Sequence, residues 1–337
     1  MSPLISIVIP SYNHRNFIGE AVRSAQSQTH RPIELIVLDD GSTDGSFEYL
    51  QREFGGSLTH LARRDNRGAH ATINDAIALS RGEWIAILNS DDVYAPDRLA
   101  RLFEFASRNG HELVFSDVGF RDEYGPLGPD HKIVQSHARA TAAAERDGIE
   151  QALLCGNFVL TTSNLMMRRA TFDAVGPFRA FRYCHDWDFL LRAIGRAKIG
   201  WLRQPLLSYR LHVANTIREP DAWRHTLEKG LVYAAFLGEE SQATTGALSQ
   251  TGYVLESREF APIVVCWLLG ECRRLGFDAI FRELQAGQLH ERFRATFEPH
   301  FAVQDAGLTV RDMRKRLNMG PLKSTLARLR NQLTRVG

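Results

Sequence analysis

The chain has 337 residues, 44% hydrophobic and 24% charged, with a net charge of +2: the composition of a globular protein with room for one large domain or two ordinary ones. Its four cysteines, Cys155, Cys184, Cys266 and Cys272, show no Cys-x-x-Cys pairing, which excludes a disulfide framework and a thiolate metal site and points to a reducing compartment. The longest apolar stretch, residues 260–269, is about half of a membrane span, and no basic segment with an apolar run opens the chain, so a cytoplasmic location is expected.

Residues 4–9 form an apolar run ended by Pro10, predicting a first strand, and Ser11-Tyr12-Asn13-His14-Arg15 leads into a helical pattern over 16–28. A second strand over 33–38 ends in Asp39-Asp40-Gly41-Ser42-Thr43-Asp44. A helix over 47–54, a third strand over 58–62 and a helix opened by Asn66-Arg67-Gly68 and running to Ser80 follow. The unbroken run Trp84-Ile85-Ala86-Ile87-Leu88 reads as a central strand buried on both faces of a parallel sheet. It stops in Asn89-Ser90-Asp91-Asp92, a second pair of carboxylates at a strand end, before Pro96 opens a helix. Ligands bind beyond the carboxyl ends of strands in open α/β sheets. Adjacent carboxylates repel unless a cation lies beside them, and oxygen ligands suit Mg²⁺ or Mn²⁺. A helix-capping Asp next to a solvated one would give the same sequence.

A helix over 98–108 and a strand over 112–115, ending at Asp117, come next. Gly125, Pro126, Gly128 and Pro129, followed by a polar, alanine-rich run, predict a mobile loop over 121–145. A helix over 149–154, an extended stretch over 157–169 and a helix over 170–175 stopped by Gly176-Pro177 precede His185-Asp186-Trp187-Asp188, which opens a helix to Ile194. Strands over 199–202 and 206–210 lead to His212. This alternation predicts an α/β fold with a mainly parallel sheet, of the nucleotide-binding, Rossmann-like kind. There is no Gly-x-Gly-x-x-Gly after the first strand and no Gly-x-x-x-x-Gly-Lys-Ser/Thr, which weighs against dinucleotide and P-loop sites.

Beyond Pro220 the pattern is helical, with breaks near Gly246, Gly252, Gly276 and Pro299, and the expected division is an α/β domain over 1–217 and a helical appendage over 218–337. Residues 309–337 carry eight basic residues and one acidic, so the rest of the chain is net acidic. There Val310, Met313 and Leu317, then Leu322, Leu326, Leu329 and Leu333, recur at helical spacing. Such helices suit packing on the domain, a homo-oligomer contact or an anionic membrane surface.

Together Ile7-Val8-Ile9-Pro10-Ser11-Tyr12-Asn13, Asp39-Asp40-Gly41-Ser42-Thr43-Asp44, Asn66-Arg67-Gly68, Asn89-Ser90-Asp91-Asp92, Val175-Gly176-Pro177-Phe178, His185-Asp186-Trp187-Asp188 and Tyr209-Arg210-Leu211-His212 resemble the inverting family 2 glycosyltransferases of the GT-A fold, in ordered succession over residues 4–216. The resemblance implies a nucleotide-diphosphate sugar donor, Mn²⁺ or Mg²⁺, and a saccharide or lipid-linked saccharide acceptor, in the setting of bacterial cell-surface polysaccharide (O-antigen or capsule type). It gives no reason to expect a nucleic acid partner. It implies metal ligands at Asp91 and Asp92, with His212 as a further metal or phosphate contact, and donor contacts at Pro10, Tyr12, Asp39, Asn66, Gly68, Asn89 and Ser90. Tyr12 would stack on the base and Asp39 would accept its ring N–H. Asp186 would be the general base that takes the acceptor's proton, with Trp187 and Asp188 beside the substrate. Two positions depart from the pattern: Asn89 stands where the family has Asp, and His185 where it has Glu. A helix start would also explain Asp186 and Asp188, as cap and first-turn acid, and a helix N-terminus lowers a carboxylate's pKa. Two other readings compete: a nucleotidyltransferase, and a nucleotide-sugar-binding module without activity.

Overall fold

The computed structural model describes residues 2–216, 219–240 and 261–304. The chain separates into two compact units, 1–218 and 219–337.

In the first unit β1 (Ile5–Ser11), β2 (Ile33–Asp39), β3 (His60–Arg63), β4 (Trp84–Ile87), β5 (Val93–Tyr94), β6 (Leu113–Arg121), β7 (Met166–Arg168) and β8 (Ile199–Arg210) form one sheet, ordered β3-β2-β1-β4-β7-β6-β8-β5. The strands β1 to β4 are parallel and are joined by α1 (Ile18–Gln26), α2 (Ser46–Phe54) and α3 (Ala69–Leu79), so their carboxyl ends share one edge. The other half is mixed: β7 is antiparallel to β4 and β6, and β5 to β8. The fold is α/β, as the alternation of elements predicts, with β4 in the middle of the order.

Alternate residues of the apolar strands explain both buried faces. Ile5, Ile7 and Ile9 of β1 with Trp84 and Ala86 of β4 join a core with Ile18, Val22 and Ala25 of α1 and with Leu99 and Leu102 of α4 (Arg98–Asn109). Their neighbours Val8, Ile85 and Ile87 are equally buried. A strand covered on both sides has no polar alternation to display. Pro10 does not end β1. On the β4 side pairing stops at Val8, so the missing N–H of Pro10 breaks no ladder there, and β1 runs on opposite β2 to Ser11.

Three further expectations are corrected. Residues 132–147 form a helix, α5 (Lys132–Asp147), instead of a mobile loop. Only Ala144 of it is fully buried, which is why no apolar stripe announces it. The strands expected over 199–202 and 206–210 are one strand, β8, and irregularities in its pairing with β6 near Asp117 absorb the intervening Arg203-Gln204-Pro205. The stretch over 157–169 is not continuously extended: it holds a 3₁₀ turn (Thr162–Asn164) and the short β7. Beyond α6 (Ile149–Cys155) and α7 (Arg169–Val175), α8 (His185–Ala193) completes the unit.

In the second unit α9 (Ala222–Glu240), α10 (Ala261–Leu275), α11 (Phe277–Gln285) and α12 (Gln288–Gln304) are described. A Cβ on Gly230 would meet Val264 at 2.7 Å and Leu268 at 2.9 Å, so α9 and α10 touch closely there. Gly276 divides α10 from α11, but Pro299 lies inside α12 without breaking it. Pro299 is exposed, so water can serve the carbonyl it frees, while Phe293 and Phe297 anchor the helix. Among the described residues no helix is long and apolar enough to cross a membrane. The basic residues 309–337, Gly246 and Gly252 lie outside the described residues.

Candidate active site

The edge formed by the carboxyl ends of β1, β2 and β4 carries most of the expected residues. Ser11 O accepts the Asp40 N–H at 2.8 Å. The loop after β1 is laced to the loop after β2: Asn13 N–H donates to Ser42 Oγ at 2.9 Å, and Asn13 Oδ1 accepts the Thr43 N–H at 2.8 Å. Tyr12, between these anchors, is 47% exposed and presents its ring to solvent. Asp44 serves structure, accepting from Ser46 N–H at 3.0 Å and Arg15 N–H at 2.9 Å.

Asp39 and Asp40 do different things. Asp39 is fully buried and accepts the Ser42 N–H at 2.8 Å and the Ser42 hydroxyl at 2.6 Å, with Arg63 Nε 3.8 Å away. Asp40 clasps the next loop, accepting from Arg67 N–H at 3.0 Å, Arg64 Nε at 3.1 Å and Gly68 N–H at 2.8 Å. Gly41 permits that approach: its φ is +80°, and a Cβ there would sit 3.1 Å from Asn66 N. Asn66 is exposed at the tip of the clasped loop.

After β4 the chain turns through Asn89-Ser90-Asp91-Asp92. Asp91 Oδ2 lies 3.0 Å from His212 Nε2, and His14 Nδ1 lies 2.7 Å from Ser90 Oγ. His14, Asp91 and His212 offer ligand atoms all within 4.8 Å of one another. Each is held from a different part of the chain. The His14 carbonyl accepts the N–H groups of Phe17 and Ile18, starting α1. His212 follows β8, its N–H bound by Asn215 Oδ1 at 2.6 Å, and Asn215 Nδ2 is tied to Arg210 O at 3.1 Å. Burial lowers the His14 pKa, which favours the neutral imidazole, the form able to ligate a cation. Burial pushes Asp91 up, but the His212 hydrogen bond and the charges of His14 and His212 outweigh it and hold Asp91 below the usual carboxylate range.

Asp92, expected beside Asp91 as a ligand, has both oxygens engaged: Oδ1 accepts the Arg210 N–H at 3.0 Å and Oδ2 the Ser163 hydroxyl at 2.6 Å. Burial and the neighbouring Asp91 charge push its pKa well up. His14 stands in the position sequence reasoning gave to Asp92. The departure at Asn89 has a local partner: Asn89 Nδ2 donates to Thr161 Oγ1 at 3.0 Å and Oδ1 accepts from Thr162 Oγ1 at 2.8 Å. The 3₁₀ turn that receives the loop is in turn held by buried Arg98, which donates to Asn164 O at 3.0 Å and Asn164 Oδ1 at 3.1 Å.

Asp186 is buried at the start of α8. Cys184 is the N-cap residue there and makes no side-chain cap bond. Asp186 Oδ1 accepts the Trp187 N–H at 2.7 Å, and Oδ2 accepts Asn157 Nδ2 at 2.8 Å. Burial raises its pKa to about 6 against those two bonds, so desolvation outweighs the helix terminus expected to lower it. Trp187 is buried and donates its indole N–H to Leu153 O at 2.8 Å. Asp188 pairs with Arg192 at 2.9 Å and Arg179 at 3.2 Å, and Arg192 in turn reaches the carbonyls of Val175 and Pro177. Both side chains are thereby committed to the framework. His185 is half-buried and hydrogen-bonded to the Phe181 backbone, with its pKa lowered to about 4 chiefly by desolvation.

Residues 6–176 match the family described as Glycosyl transferase family 2. An uncharacterised glycosyltransferase of Rickettsia prowazekii is 28% identical over 217 residues, 64% of this chain and 66% of that protein. TuaG of Bacillus subtilis, named for teichuronic acid biosynthesis, is 36% identical over 120 residues, 35% of this chain and 47% of TuaG. The chain thus matches these relatives over two thirds of their length or less. Among solved structures, the mannosyltransferase PcManGT of Pyrobaculum calidifontis, in complex with GDP-Man and Mn²⁺, superposes with a TM-score of 0.53 at 15% identity, covering 88% of this chain and 83% of that one. At that identity the likeness is one of fold, the GT-A arrangement.

Proposed function

The chain belongs to glycosyl transferase family 2, and from that premise we propose that it is an inverting, metal-dependent transferase acting on a nucleotide-diphosphate sugar. The observation that carries this reading is the convergence of His14, Asp91 and His212 beside exposed Tyr12, at the carboxyl edge where β1 lies between β2 and β4. Two strand spacings, about 10 Å, separate the ends of β2 and β4. A nucleoside can span that gap with its base at Tyr12 and Asp39 and its phosphates toward Asp91.

The donor set fits a divalent ion. Cis ligands about 2.1 Å from an octahedral ion lie about 3 Å apart, and Asp91 Oδ2 and His212 Nε2 are 3.0 Å apart. Two imidazoles with one carboxylate favour Mn²⁺ over Mg²⁺, which prefers oxygen. When bound, the ion would offset the charge that grows on the leaving diphosphate. Asp186 is suited to accept the proton of the attacking hydroxyl: it is buried, it has no cationic partner among the described residues, and it is ionised above about pH 6. One carboxylate suits a single displacement with inversion. A saccharide or lipid-linked acceptor in cell-surface polysaccharide synthesis agrees with the likeness to TuaG. Family membership removes the support for a nucleotidyltransferase.

The test is a thermal-shift panel of UDP-, dTDP- and GDP-sugars with and without Mn²⁺, since a ligand of the folded state raises Tm. A shift that needs both metal and one nucleotide is expected; no shift with any pair would overturn the donor assignment. With the donor in hand, Asp186→Asn should retain the shift and lose transfer, and wild-type transfer should rise with pH through about 6 as Asp186 ionises. The same variant should gain stability. The folded group keeps its proton to about 6, against 3.8 ordinarily. Its contribution to stability is therefore complete below the unfolded pKa and is lost as pH rises through the folded one, leaving a cost on the order of 3 kcal/mol at pH 7 and above. A higher Tm for Asp186→Asn at pH 8 than for wild type is the expected outcome.

A further inference from the structure

The Asp186 carboxylate depends on a residue that no motif marks. Asn157 lies in the connection between α6 and the 3₁₀ turn, 29 positions before Asp186, and its amide nitrogen donates to Asp186 Oδ2 at 2.8 Å. Its amide oxygen accepts the Leu160 N–H at 3.1 Å. Leu160 has a φ of +83°, a left-handed value that a leucine rarely adopts and that persists only where surrounding structure enforces it. The segment is also fixed one turn earlier, where Leu153 O receives the Trp187 indole N–H.

We propose that Asn157 is a positioning residue that sets the rotamer and the protonation state of Asp186, a reading that rests on Asp186 as the base. The logic runs through the amide's two ends. The Leu160 N–H requires an acceptor, so the oxygen of Asn157 faces Leu160, and only the NH₂ group is left for Asp186. That group donates and cannot accept, and with the Trp187 N–H on the other oxygen both carboxyl oxygens meet donors, which favours the ionised carboxylate over the acid. The Trp187 N–H alone would leave the second oxygen free to turn; with Asn157 both oxygens are fixed. The neighbouring titratable groups are engaged elsewhere: His185 is bound to the Phe181 backbone, and Asp188 is paired with Arg179 and Arg192. Asn157 therefore opposes the burial that drives Asp186 toward its neutral form, and the left-handed turn at Leu160 keeps Asn157 oriented to do so.

The experiment is a ¹³C NMR titration of the full chain labelled at aspartate Cγ, with the Asp186 signal identified by its loss in Asp186→Asn. In Asn157→Ala the Asp186 titration should move up by about one pH unit or more, the usual effect of losing a hydrogen bond to a charged group. In Asn157→Asp, which keeps the shape of the side chain and an acceptor for Leu160, a second carboxyl replaces the donor and the upward move should be larger. A titration unchanged in both variants would overturn the proposal, leaving Asn157 as a loop staple. Failure of the base assignment would show separately, as full transfer by Asp186→Asn, without altering what the titration reports about Asn157.

Discussion

Two strands of the sheet, β2 and β4, end in adjacent aspartates, and the two pairs are built for opposite purposes. At β2 the donors are close at hand: Ser42 satisfies Asp39, while Arg64 and two backbone N–H groups satisfy Asp40. At β4, Asp92 is satisfied by Ser163 and the Arg210 backbone, but the Asp91 carboxylate faces two histidines and, among the described residues, pairs with no arginine or lysine. One aspartate of each pair braces the loop. The other differs between the two ends: Asp39 is held by Ser42 with Arg63 nearby, whereas Asp91 lies beside His14 and His212. A carboxylate pair in sequence thus says that a strand end is acidic, and the donors around it decide what the acid is for.

Substitutions can break this comparison at each end. The largest effect is expected from Asp91→Ala, which should abolish Mn²⁺-dependent donor binding and reduce transfer on the order of a thousandfold, read by calorimetry with Mn²⁺ and by nucleotide release. Asp40→Ala should instead cost about 1–3 kcal/mol of stability, because Arg67 N–H and Gly68 N–H lose their acceptor in a partly buried setting. Its Tm should fall while its affinity for Mn²⁺ is kept; a variant of normal stability that fails to bind metal would reverse the roles of the two strand ends. The smallest effect belongs to His14→Ala, where affinity for Mn²⁺ should drop by about tenfold or more. Metal binding unchanged by that substitution would reduce the cluster to Asp91 and His212.

The division of labour was partly legible in the sequence. Apolar runs ending in polar loops fix β1, β2 and β4, because a buried strand and its exposed end differ in composition at every position. The same pattern brings Asp39 and Asp91 to one edge. It could not distinguish Asp92 from His14 as a neighbour of Asp91: adjacency along the chain favours Asp92, whereas the turn after β4 sends the two carboxylates to different partners and tertiary packing brings His14 in. Asn89 reads as a departure until Thr161 and Thr162 supply a hydroxyl partner for each end of its amide. Trp187 and Asp188 share a motif with Asp186, yet a helix sends consecutive side chains in different directions, and theirs meet Leu153 and Arg192. Asn157 carries no signal in one dimension, since its role comes from a contact between distant segments.

His212 is delivered by the last strand of the sheet to be synthesised, and that gives the chain a clock. The family match ends at residue 176, before Asp186 and His212. A ribosome adding roughly 5–20 residues per second completes the donor-facing loops seconds before it makes the second imidazole of the proposed ion site. The nascent chain can therefore shape a nucleotide edge early and still hold metal only loosely. Tight capture of the ion would come only after β8 has docked, which places metal uptake behind the shaping of the nucleotide edge.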